Sequence, residues 1–554
     1  MIRHGGQILV DQLVLHGVSR VFSVPGESFL AALDGLRDSK IQNTVCRHEG
    51  GASMMAEATG KLTGKPGIAF VTRGPGASNA AAGVHVAAQD STPMILFVGQ
   101  IARGHRDREA FQEMNYKSFF GDAAKWVAEI DDTDRLPEYI NRAFHVATSG
   151  RPGPVVLALP EDMLSATSQT PKLPVNAPAN LAVSPDQIDS ILAFLAKSKR
   201  PMVIAGGSIW SAQAAADLQT FAENFELPVA VSFRRQDHMN NTSQSYVGDL
   251  GVGANPALAE GLQKADALLI LGARFGDIPT AGYELVDPSR AAKHICHVHP
   301  DPSVIASVYH TDLAITAYAH DVVAQLATRT PPEKEKRNTF GEKLRAGYEI
   351  WRTPKETPGD VKMERIIRWL SDNLPDDAIL TNGAGNYAAW LHRYYNFRQY
   401  GTQLAPTSGS MGYGFPAAIA AKLHDPAKTV VCLAGDGCFQ MTLNEMSTAR
   451  QHGANVITVV ANNGRYGTIR MHQERHYPGR DSGTDLANPD FAALARAYGG
   501  HGELVTQTAQ FPDAFARALL SDLPAVIELK LDPNALATGM TLAQTRALGE
   551  KSKT

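Results

Sequence analysis

Two short polar motifs each follow an apolar run in the segment 429–467. The run TVVCLA leads into Gly-Asp-Gly at 435–437, and the run NVITVVA leads into Asn-Asn at 462–463. A carboxylate, an amide oxygen and a nearby backbone carbonyl form a hard oxygen set, which suits Mg²⁺ when phosphate oxygens and water complete the octahedron. Asp436 and Asn463 are therefore candidate ligands of a metal ion that holds a diphosphate.

This chemistry requires the two motifs to meet in space. The residues between them are typical of a helix. The spacing of Thr442 and Glu445 predicts a capping box at its start, and His452 and Gly453 predict its end. Because crossovers between parallel strands are nearly always right-handed, both motifs are expected at the carboxyl edge of one sheet. The glycines beside Asp436 are expected to let a ligand approach the backbone. Neither motif is specific alone, but their combination at this spacing predicts a diphosphate site.

The same alternation of apolar runs and helical patterns extends over most of the 554 residues. A chain of this length usually forms about three domains. A proline-rich polar segment at 167–185 predicts one linker, and a charged helical stretch between proline-rich ends at 330–360 predicts another. We therefore predict an α/β fold with three doubly wound parallel-sheet domains at 1–168, 186–328 and 361–533.

In the first predicted domain, the strands end in loops suited to binding. VFSV is followed by Pro-Gly at 25–26, and NTVC is followed by Arg-His-Glu at 47–49. IAFVT is followed by RGPGASN at 73–79. These loops are expected at the carboxyl edge of the first sheet, where ligands bind in open α/β folds.

The composition excludes several classes of protein. With 52 basic and 56 acidic residues and no long basic cluster, the chain lacks the charge pattern of a nucleic-acid-binding protein. No apolar run approaches the roughly 20 residues that a membrane span needs. The N-terminal residues are predicted to form an amphipathic helix rather than a signal peptide. The four cysteines lack the spacing of a disulfide framework or a metal site, which predicts a cytoplasmic protein.

Beyond these patterns, the chain resembles acetolactate synthase (acetohydroxyacid synthase) large subunits, which are thiamine-diphosphate (ThDP) enzymes related to pyruvate oxidase. The matching phrases include RHEGGASMMAEATGKLTGKPG at 47–67, RGPGASN at 73–79, AFQE at 110–113, GARFGD at 272–277 and GSMGYGFPAA at 409–418, besides the two motifs above. The resemblance implies a pyrimidine-binding first domain, a central domain of FAD or nucleotide type, and a diphosphate-binding third domain. It also implies ThDP and Mg²⁺ as cofactors.

The resemblance assigns catalytic roles to three residues. Glu49 corresponds to the carboxylate that hydrogen-bonds a pyrimidine nitrogen and stabilises the imino tautomer, which removes the thiazolium proton. Gln112 and Gly26 correspond to residues near the reacting carbon. Each has a plain structural alternative, since Glu49 also suits the first turn of a helix.

The resemblance also assigns the contacts with the cofactor and the metal. Met411 corresponds to the bulky residue that holds the cofactor in a bent conformation, although a methionine between glycines is also a common packing residue. The metal ligands implied are Asp436, Asn463 and the carbonyl of Arg465. The cofactor-binding residues implied are Gly385, Asn386, Gly409, Met411, Gly435, Asp436, Gly437, Cys438 and Asn463.

Several positions depart from the pattern of acetolactate synthases. The family usually has Gly-Gln-His where this chain has Gly385 and Asn386. His472 stands where a tryptophan usually favours the larger acceptor 2-oxobutyrate, so that preference is not expected here. Arg73 replaces a serine and Glu27 replaces a glycine, which adds charge near the loops that face the cofactor.

The expected function is therefore a carboligase that decarboxylates a 2-oxo acid such as pyruvate and adds the product to a second carbonyl, with 2-oxo acids or aldehydes as substrates. The alternatives are another ThDP-dependent decarboxylase or aldehyde lyase or ligase, an FAD-dependent oxidoreductase of the pyruvate oxidase kind, and a non-catalytic regulatory subunit. Whether FAD, ADP or nothing occupies the central domain stays open. The resemblance implies a homodimer or homotetramer, and leaves a regulatory subunit undecided.

Overall fold

The computed structural model describes residues 2–289, 293–331 and 339–552. Three six-stranded sheets follow one another along the chain, and the neighbouring strands within each are parallel. This confirms the predicted α/β fold with three parallel sheets. Among the described residues, every helix is too short or too polar to cross a bilayer.

The first unit contains eight strands and seven helices. They are β1 (Arg3–His4), α1 (Gly5–Leu15), β2 (Arg20–Ser23), α2 (Leu30–Arg37), β3 (Gln42–Val45), α3 (Glu49–Thr63), β4 (Gly67–Val71), α4 (Pro75–Asp90), β5 (Met94–Gln100), α5 (Tyr116–Phe120), β6 (Trp126–Glu129), α6 (Leu136–Thr148), β7 (Pro154–Pro160), α7 (Glu161–Ser165) and β8 (Thr167–Ser168). The sheet has the order β3-β2-β4-β5-β7-β6, while β1 and β8 form a separate antiparallel pair. Strands β5 and β7 are buried along their whole length, as expected when helices cover both faces of a parallel sheet.

The second unit contains the central sheet. Its elements are α8 (Pro185–Ala196), β9 (Pro201–Ala205), α9 (Ala212–Asn224), β10 (Val229–Ser232), β11 (Tyr246–Leu250), α10 (Pro256–Lys264), β12 (Ala267–Leu271), β13 (His294–His299), β14 (Leu313–Thr316) and α11 (Ala319–Ala327). The sheet order is β11-β10-β9-β12-β13-β14. In the predicted second linker, α12 (Phe340–Trp351) forms, while the charged residues 332–338 lie outside the described residues.

The third unit contains the remaining helices and strands. They are α13 (Met363–Asn373), β15 (Ile379–Asn382), α14 (Tyr387–Tyr394), β16 (Gln403–Leu404), α15 (Gly414–His424), β17 (Val430–Gly435), α16 (Asp436–Gln440), α17 (Met446–His452), β18 (Ile457–Asn462), α18 (Gly467–His476), α19 (Phe491–Ala497), β19 (His501–Val505), α20 (Phe511–Leu520), β20 (Ala525–Lys530) and α21 (Leu542–Lys551). The sheet order is β16-β15-β17-β18-β20-β19.

The strand orders show where each sheet can bind a ligand. Counted within each sheet in chain order, the first and third sheets both read 2-1-3-4-6-5, and the central sheet reads 3-2-1-4-5-6, the order of dinucleotide-binding folds. The central order reverses between β9 and β12, and the first and third orders reverse between β2 and β4 and between β15 and β17, with a second change of direction at their far edge. Ligands bind at the carboxyl ends of the strands on either side of such a reversal. The predicted domain limits stay a prediction. Each sheet lies within them, and residues 169–184 form neither helix nor strand.

The predicted capping box between the two polar motifs is wrong. The crossover contains two short helices, α16 and α17, and the Thr442 side chain caps neither, because its hydroxyl donates to the Gly412 carbonyl at 2.8 Å. Glu445 accepts hydrogen bonds from the backbone N–H groups of Arg47 and His48, just before α3. The side chains of Thr442 and Glu445 therefore form tertiary contacts instead of the local helix cap that the pattern predicts. The C-terminal cap is as predicted, with Gly453 at φ 68°.

Candidate cofactor site

The third sheet brings the two polar motifs to one edge. Strand β17 ends at Gly435 and β18 ends at Asn462, and the parallel register sets Gly435 beside Ala461. Asp436 and Asn463 therefore leave adjacent strands at the same edge, next to the reversal of strand order between β15 and β17.

Asp436 is buried, and its carboxylate is held in a fixed orientation. One oxygen accepts the N–H of Gly437 at 2.8 Å, and the other accepts the N–H of Gly464 and the amide of Asn488, both at 2.8 Å. Burial raises the pKa of Asp436, while these hydrogen bonds act in the opposite direction. No lysine or arginine in the described part of the chain forms an ion pair with this carboxylate, so a bound cation would favour its ionised form.

Asn463 lies half-buried on the neighbouring loop. Its amide oxygen accepts the N–H of Arg465 at 3.2 Å, and the chain turns at Gly464, where φ is 69°. Arg465 forms an isolated antiparallel bridge with Asp485, which ties this loop to the segment after α18. The Asn463 loop therefore lies beside the loop that begins at Asp436, at the same edge of the sheet.

A cavity of about 250 Å³ occupies this edge of the sheet. Its lining includes every residue that the resemblance assigned to the cofactor or the metal: Gly385, Asn386, Gly409, Met411, Gly435, Asp436, Gly437, Cys438, Asn463 and Arg465. The wall also contains apolar side chains, among them Trp390, Ile469 and Leu536. The structure thus gathers these ten positions in one cleft, and their individual roles stay predictions.

The glycines beside Asp436 also make room for two aromatic rings of the protein. A Cβ atom on Gly435 would lie 2.8 Å from the ring of Tyr387, and one on Gly437 would lie 2.5 Å from the ring of Tyr466. The protein's own aromatic rings therefore fill the space that a side chain would need. Tyr387 also donates a hydrogen bond to the buried thiol of Cys438 at 3.2 Å, which fixes the ring against the cavity wall.

Asn386 uses its side chain to hold the cavity together. Its amide donates to the Leu536 carbonyl at 2.8 Å, and its amide oxygen accepts the hydroxyl of Thr468 at 3.0 Å. The C-terminal segment thus closes one side of the cleft. Helix α21 then packs on α18, which carries Thr468.

The three catalytic candidates surround a loop of the first sheet. Glu49 begins α3, and its carboxylate accepts the amide of Asn79 at 2.9 Å. A Cβ atom on Gly76 would lie 3.2 Å from the Glu49 carboxylate, and one on Gly26 would lie 2.5 Å from Thr72. Glu49 and Gly26 therefore border the loop that follows β4.

Gln112 covers the same loop from the other side. Its Cβ atom lies 3.0 Å from where a Cβ atom on Gly74 would stand. Its backbone has φ 64°, and its buried amide oxygen has no hydrogen-bond partner within the described ranges. A buried acceptor without a partner is costly, which is typical of a site that receives a ligand.

The three catalytic candidates form a group separate from the lining of this cavity. None of Glu49, Gly26 and Gln112 lines the cavity of the third sheet in the part of the chain that the structure describes. Large apolar side chains beside both groups are exposed: Phe111, next to Gln112, is 74% exposed, and Ile469, in the cavity wall, is 54% exposed.

Three family models match the chain, one for each sheet. Residues 3–119 match the N-terminal TPP (thiamine pyrophosphate, ThDP) binding domain of thiamine pyrophosphate enzymes, 188–326 match the central domain, and 383–529 match the C-terminal TPP binding domain. The chain is also 30% identical to the acetolactate synthase isozyme 2 large subunit of Escherichia coli, over 96% of both chains. The chain belongs to the acetolactate synthase family of ThDP enzymes.

Other members of the family match at similar identity. The acetolactate synthase large subunit of Corynebacterium glutamicum is 31% identical over 97% of this chain and 88% of the relative. The mitochondrial catalytic subunit of Saccharomyces cerevisiae is 31% identical over 95% of this chain and 80% of the relative. The resemblance to acetolactate synthases is therefore confirmed. The expected cofactors, ThDP and a divalent metal, are confirmed with it.

The residues of the cleft fit this cofactor pair. Asp436 and Asn463 supply an oxygen donor set of the kind that Mg²⁺ prefers. Burial raises the pKa of the Asp436 carboxyl group. A bound metal ion would supply the positive partner that this carboxylate lacks among the described side chains. Met411 and Trp390 give the cleft an apolar side that suits an aromatic ring system.

A second and larger cavity, of about 660 Å³, lies at the reversal of the central sheet. It is lined by Gly206–Trp210 after β9 and by Gly272–Asp277 after β12, which includes the ARFGD sequence. Three arginines line it: Arg151, Arg235 and Arg274. Guanidinium groups at such a switch point suit the phosphates of a nucleotide.

Sequence reasoning missed several residues that shape the cofactor cleft. Asn488 binds both Asp436 and Asn462 through its amide, at 2.8 and 2.9 Å, yet it lies in a loop without a recognisable motif. Leu536, in the segment between β20 and α21, is also part of the wall. Their positions depend on how distant segments pack, which local patterns do not reveal.

Proposed function

We propose that this chain is a ThDP- and Mg²⁺-dependent carboligase of the acetolactate synthase type. It removes CO₂ from a 2-oxo acid such as pyruvate and adds the remaining acyl unit to a second carbonyl compound. The observation that carries the proposal is the cleft of the third sheet, which is lined by all ten residues that the resemblance assigns to the cofactor and the metal. Relatives named acetolactate synthase that match over nearly the whole chain support the same reaction.

The residues of the chain have distinct tasks in this proposal. Asp436, Asn463 and the carbonyl of Arg465 hold the metal, and Met411 supports the cofactor ring. When bound, ThDP supplies a thiazolium carbon that stabilises negative charge. The Glu49 carboxylate, oriented by Asn79, holds the proton at the pyrimidine ring.

A complete site in this proposal needs two chains. Glu49, Gly26 and Gln112 of one chain face the cleft of another, which forms a homodimer or a homotetramer. The exposed side chains of Phe111 and Ile469 support this assembly, because large apolar residues beside a binding site are commonly covered by a partner. A cytoplasmic location is proposed from the four cysteines, all of which are free.

Product identification tests the reaction. The purified protein is incubated with pyruvate, ThDP and Mg²⁺, and the products are analysed by mass spectrometry. Acetolactate is the expected product, and a panel of 2-oxobutyrate and aldehydes then defines the acceptor. If the cofactor-loaded enzyme forms another product, such as a free aldehyde or a different ligation product, another ThDP reaction of the same fold replaces this proposal.

The large central cavity favours one alternative activity. A flavin in that cavity would suit an oxidoreductase of the pyruvate oxidase kind, and its arginines support binding of FAD or another nucleotide. Nucleotide analysis of the purified protein identifies the occupant, and oxygen uptake with pyruvate tests the activity. Flavin without oxygen uptake favours the carboligase, whereas oxygen uptake that matches substrate consumption favours the oxidoreductase.

A further inference from the structure

One loop forms part of the cofactor cleft without being fixed by the third unit alone. Residues 405–413, here called the 405–413 loop, connect β16 to α15. Gly409 and Met411 of this loop line the cleft. The backbone has φ 69° at Gly409 and 78° at Gly412. Glycine adopts these conformations readily, but it adopts others as readily, so the glycines alone do not fix the shape of the loop.

A buried ionic network of the first unit lies against this loop. Glu57 and Lys61 are on α3, and Asp90 ends α4. The side chains of both carboxylates are 0% exposed, and that of Lys61 is 7% exposed. The Lys61 ammonium donates to Asp90 and lies 3.2 Å from the Glu57 carboxylate. Lys61 therefore serves two carboxylates in a buried environment. Thr92 also donates to Glu57 at 2.7 Å, and the charge of Arg235 acts on Asp90, so each carboxylate depends on the donors and charges around it.

The loop supplies further donors on both sides of Gly409 and Met411. Before Gly409, the N–H of Thr407 donates to Asp90 at 2.7 Å, and its hydroxyl donates to the same oxygen. Lys61 donates in turn to the Ala405 carbonyl at 3.0 Å. After Met411, the hydroxyl of Tyr413 donates to the Glu57 carboxylate.

These bonds make the position of the loop depend on the network. A buried carboxylate that loses a donor pays its desolvation cost, so displacement of either end of the loop is strongly opposed. The central unit adds a further hold, because Arg234 donates to the Pro406 carbonyl. The residues between the two anchors, including Met411, have no comparable polar attachment to either of the other units within the described ranges.

We propose that Glu57, Lys61 and Asp90 are positioning residues for the cofactor, which anchor the 405–413 loop from the first unit and so place Met411 against bound ThDP. None of these three residues is in the described lining of the ThDP cleft, although Asp90 lines the central cavity. The proposal rests on the cofactor lying in the cleft of the third sheet, and it holds for any carbonyl substrate.

The test uses Tyr413→Phe, which removes one hydroxyl donor to Glu57 and keeps the ring. ThDP is titrated in the presence of Mg²⁺, with binding followed by tryptophan fluorescence, since Trp390 lines the cleft. We expect the dissociation constant of ThDP to rise about tenfold, the effect of weakening a hydrogen bond to a buried charge. At saturating ThDP, kcat should stay reduced while KM for the 2-oxo acid is unchanged.

Tyr348→Phe is the matched control. Tyr348 is also fully buried, but its hydroxyl has no hydrogen-bond partner in the described part of the chain. This variant should bind ThDP like the wild type. Asp90→Asn should weaken ThDP binding as Tyr413→Phe does; if it fails to fold, Thr407→Val replaces it, because that change removes a single hydroxyl from the same anchor.

The positioning role is overturned if Tyr413→Phe and Thr407→Val bind ThDP with the wild-type constant, even if their melting temperatures fall. It is also overturned if Tyr348→Phe weakens binding to the same extent. Both outcomes leave the proposed reaction intact, because the wild type still binds ThDP and turns over. A wild type that does not bind ThDP contradicts the cofactor site itself.

Discussion

Replacement of Asp436 by asparagine should change ThDP affinity in opposite directions with and without a metal. The substitution keeps the size of the side chain and removes its charge. In the structure the carboxylate is 3% exposed and accepts three hydrogen bonds, from Gly437, Gly464 and Asn488. An amide has one acceptor oxygen and would point a donor at N–H groups, so at least one of these bonds is lost.

The magnitude follows from the charge that is removed. An interaction with an ionised partner contributes roughly 1.5 to 3 kcal/mol, so ThDP binding in the presence of Mg²⁺ should weaken about 10- to 100-fold in Asp436→Asn. In the presence of EDTA the sign reverses, because the ionised carboxylate repels the diphosphate when no cation separates them. Metal-free binding should therefore be tighter than in the wild type.

The assay is a fluorescence titration of ThDP at fixed Mg²⁺ and again in EDTA. The control is Asp485→Asn, the same chemical change on the adjacent loop, where the side chain is 72% exposed and 3.8 Å from Arg465. This control should differ less than twofold from the wild type, as expected for an exposed ion pair. Equal weakening of ThDP binding with and without metal in Asp436→Asn would refute the assignment of Asp436 as a metal ligand.

Two further predictions concern other parts of the molecule. Glu49→Gln should reduce kcat by at least about 100-fold, the usual contribution of a positioned acid or base, while ThDP affinity changes only a few-fold; undiminished turnover would show that Glu49 is not on the proton path. Arg546 binds Glu474 through two hydrogen bonds of 2.7 Å, which lowers the pKa of Glu474 to about 2. This stabilisation is present above the ordinary pKa of 4.5 and is lost as the pH falls towards 2. Because solvent screens the partly exposed arginine, Arg546→Gln should lower the free energy of unfolding by about 1 kcal/mol at neutral pH. Urea melts should show this difference shrinking below pH 4. A difference that does not depend on pH would contradict the assignment.

The sequence predicted the site best where strand ends alone decide its geometry. Asp436 and Asn463 follow adjacent parallel strands, so a pattern of two apolar runs with a crossover was enough to place them at one edge. The same reasoning predicted three parallel sheets, because apolar runs buried on both faces have few other arrangements.

Local reasoning failed where tertiary contacts compete for the same groups. Thr442 and Glu445 have the spacing of a capping box, but they bind Gly412 and the residues before α3 instead. The close packing of the Tyr387 ring against Gly435 was likewise not predicted, because it joins residues that are distant in the sequence. Asn488 is not predictable from its neighbours, because its contact with Asp436 depends on the path of a long loop.

The most direct test of the account is complementation between two inactive variants. Glu49→Gln removes the carboxylate of the first unit, and Asp436→Ala removes the metal ligand of the third. If each site combines Glu49 of one chain with Asp436 of another, a mixed dimer of these variants contains one intact site. Random coexpression should then restore about a quarter of wild-type activity, since half of the dimers are mixed and each has one working site. Asp436→Ala coexpressed with Asn463→Ala, two lesions of the same cleft, serves as the control and should stay inactive. Recovery by the first pair alone is the result predicted, whereas two equally inactive mixtures would contradict a site shared between chains.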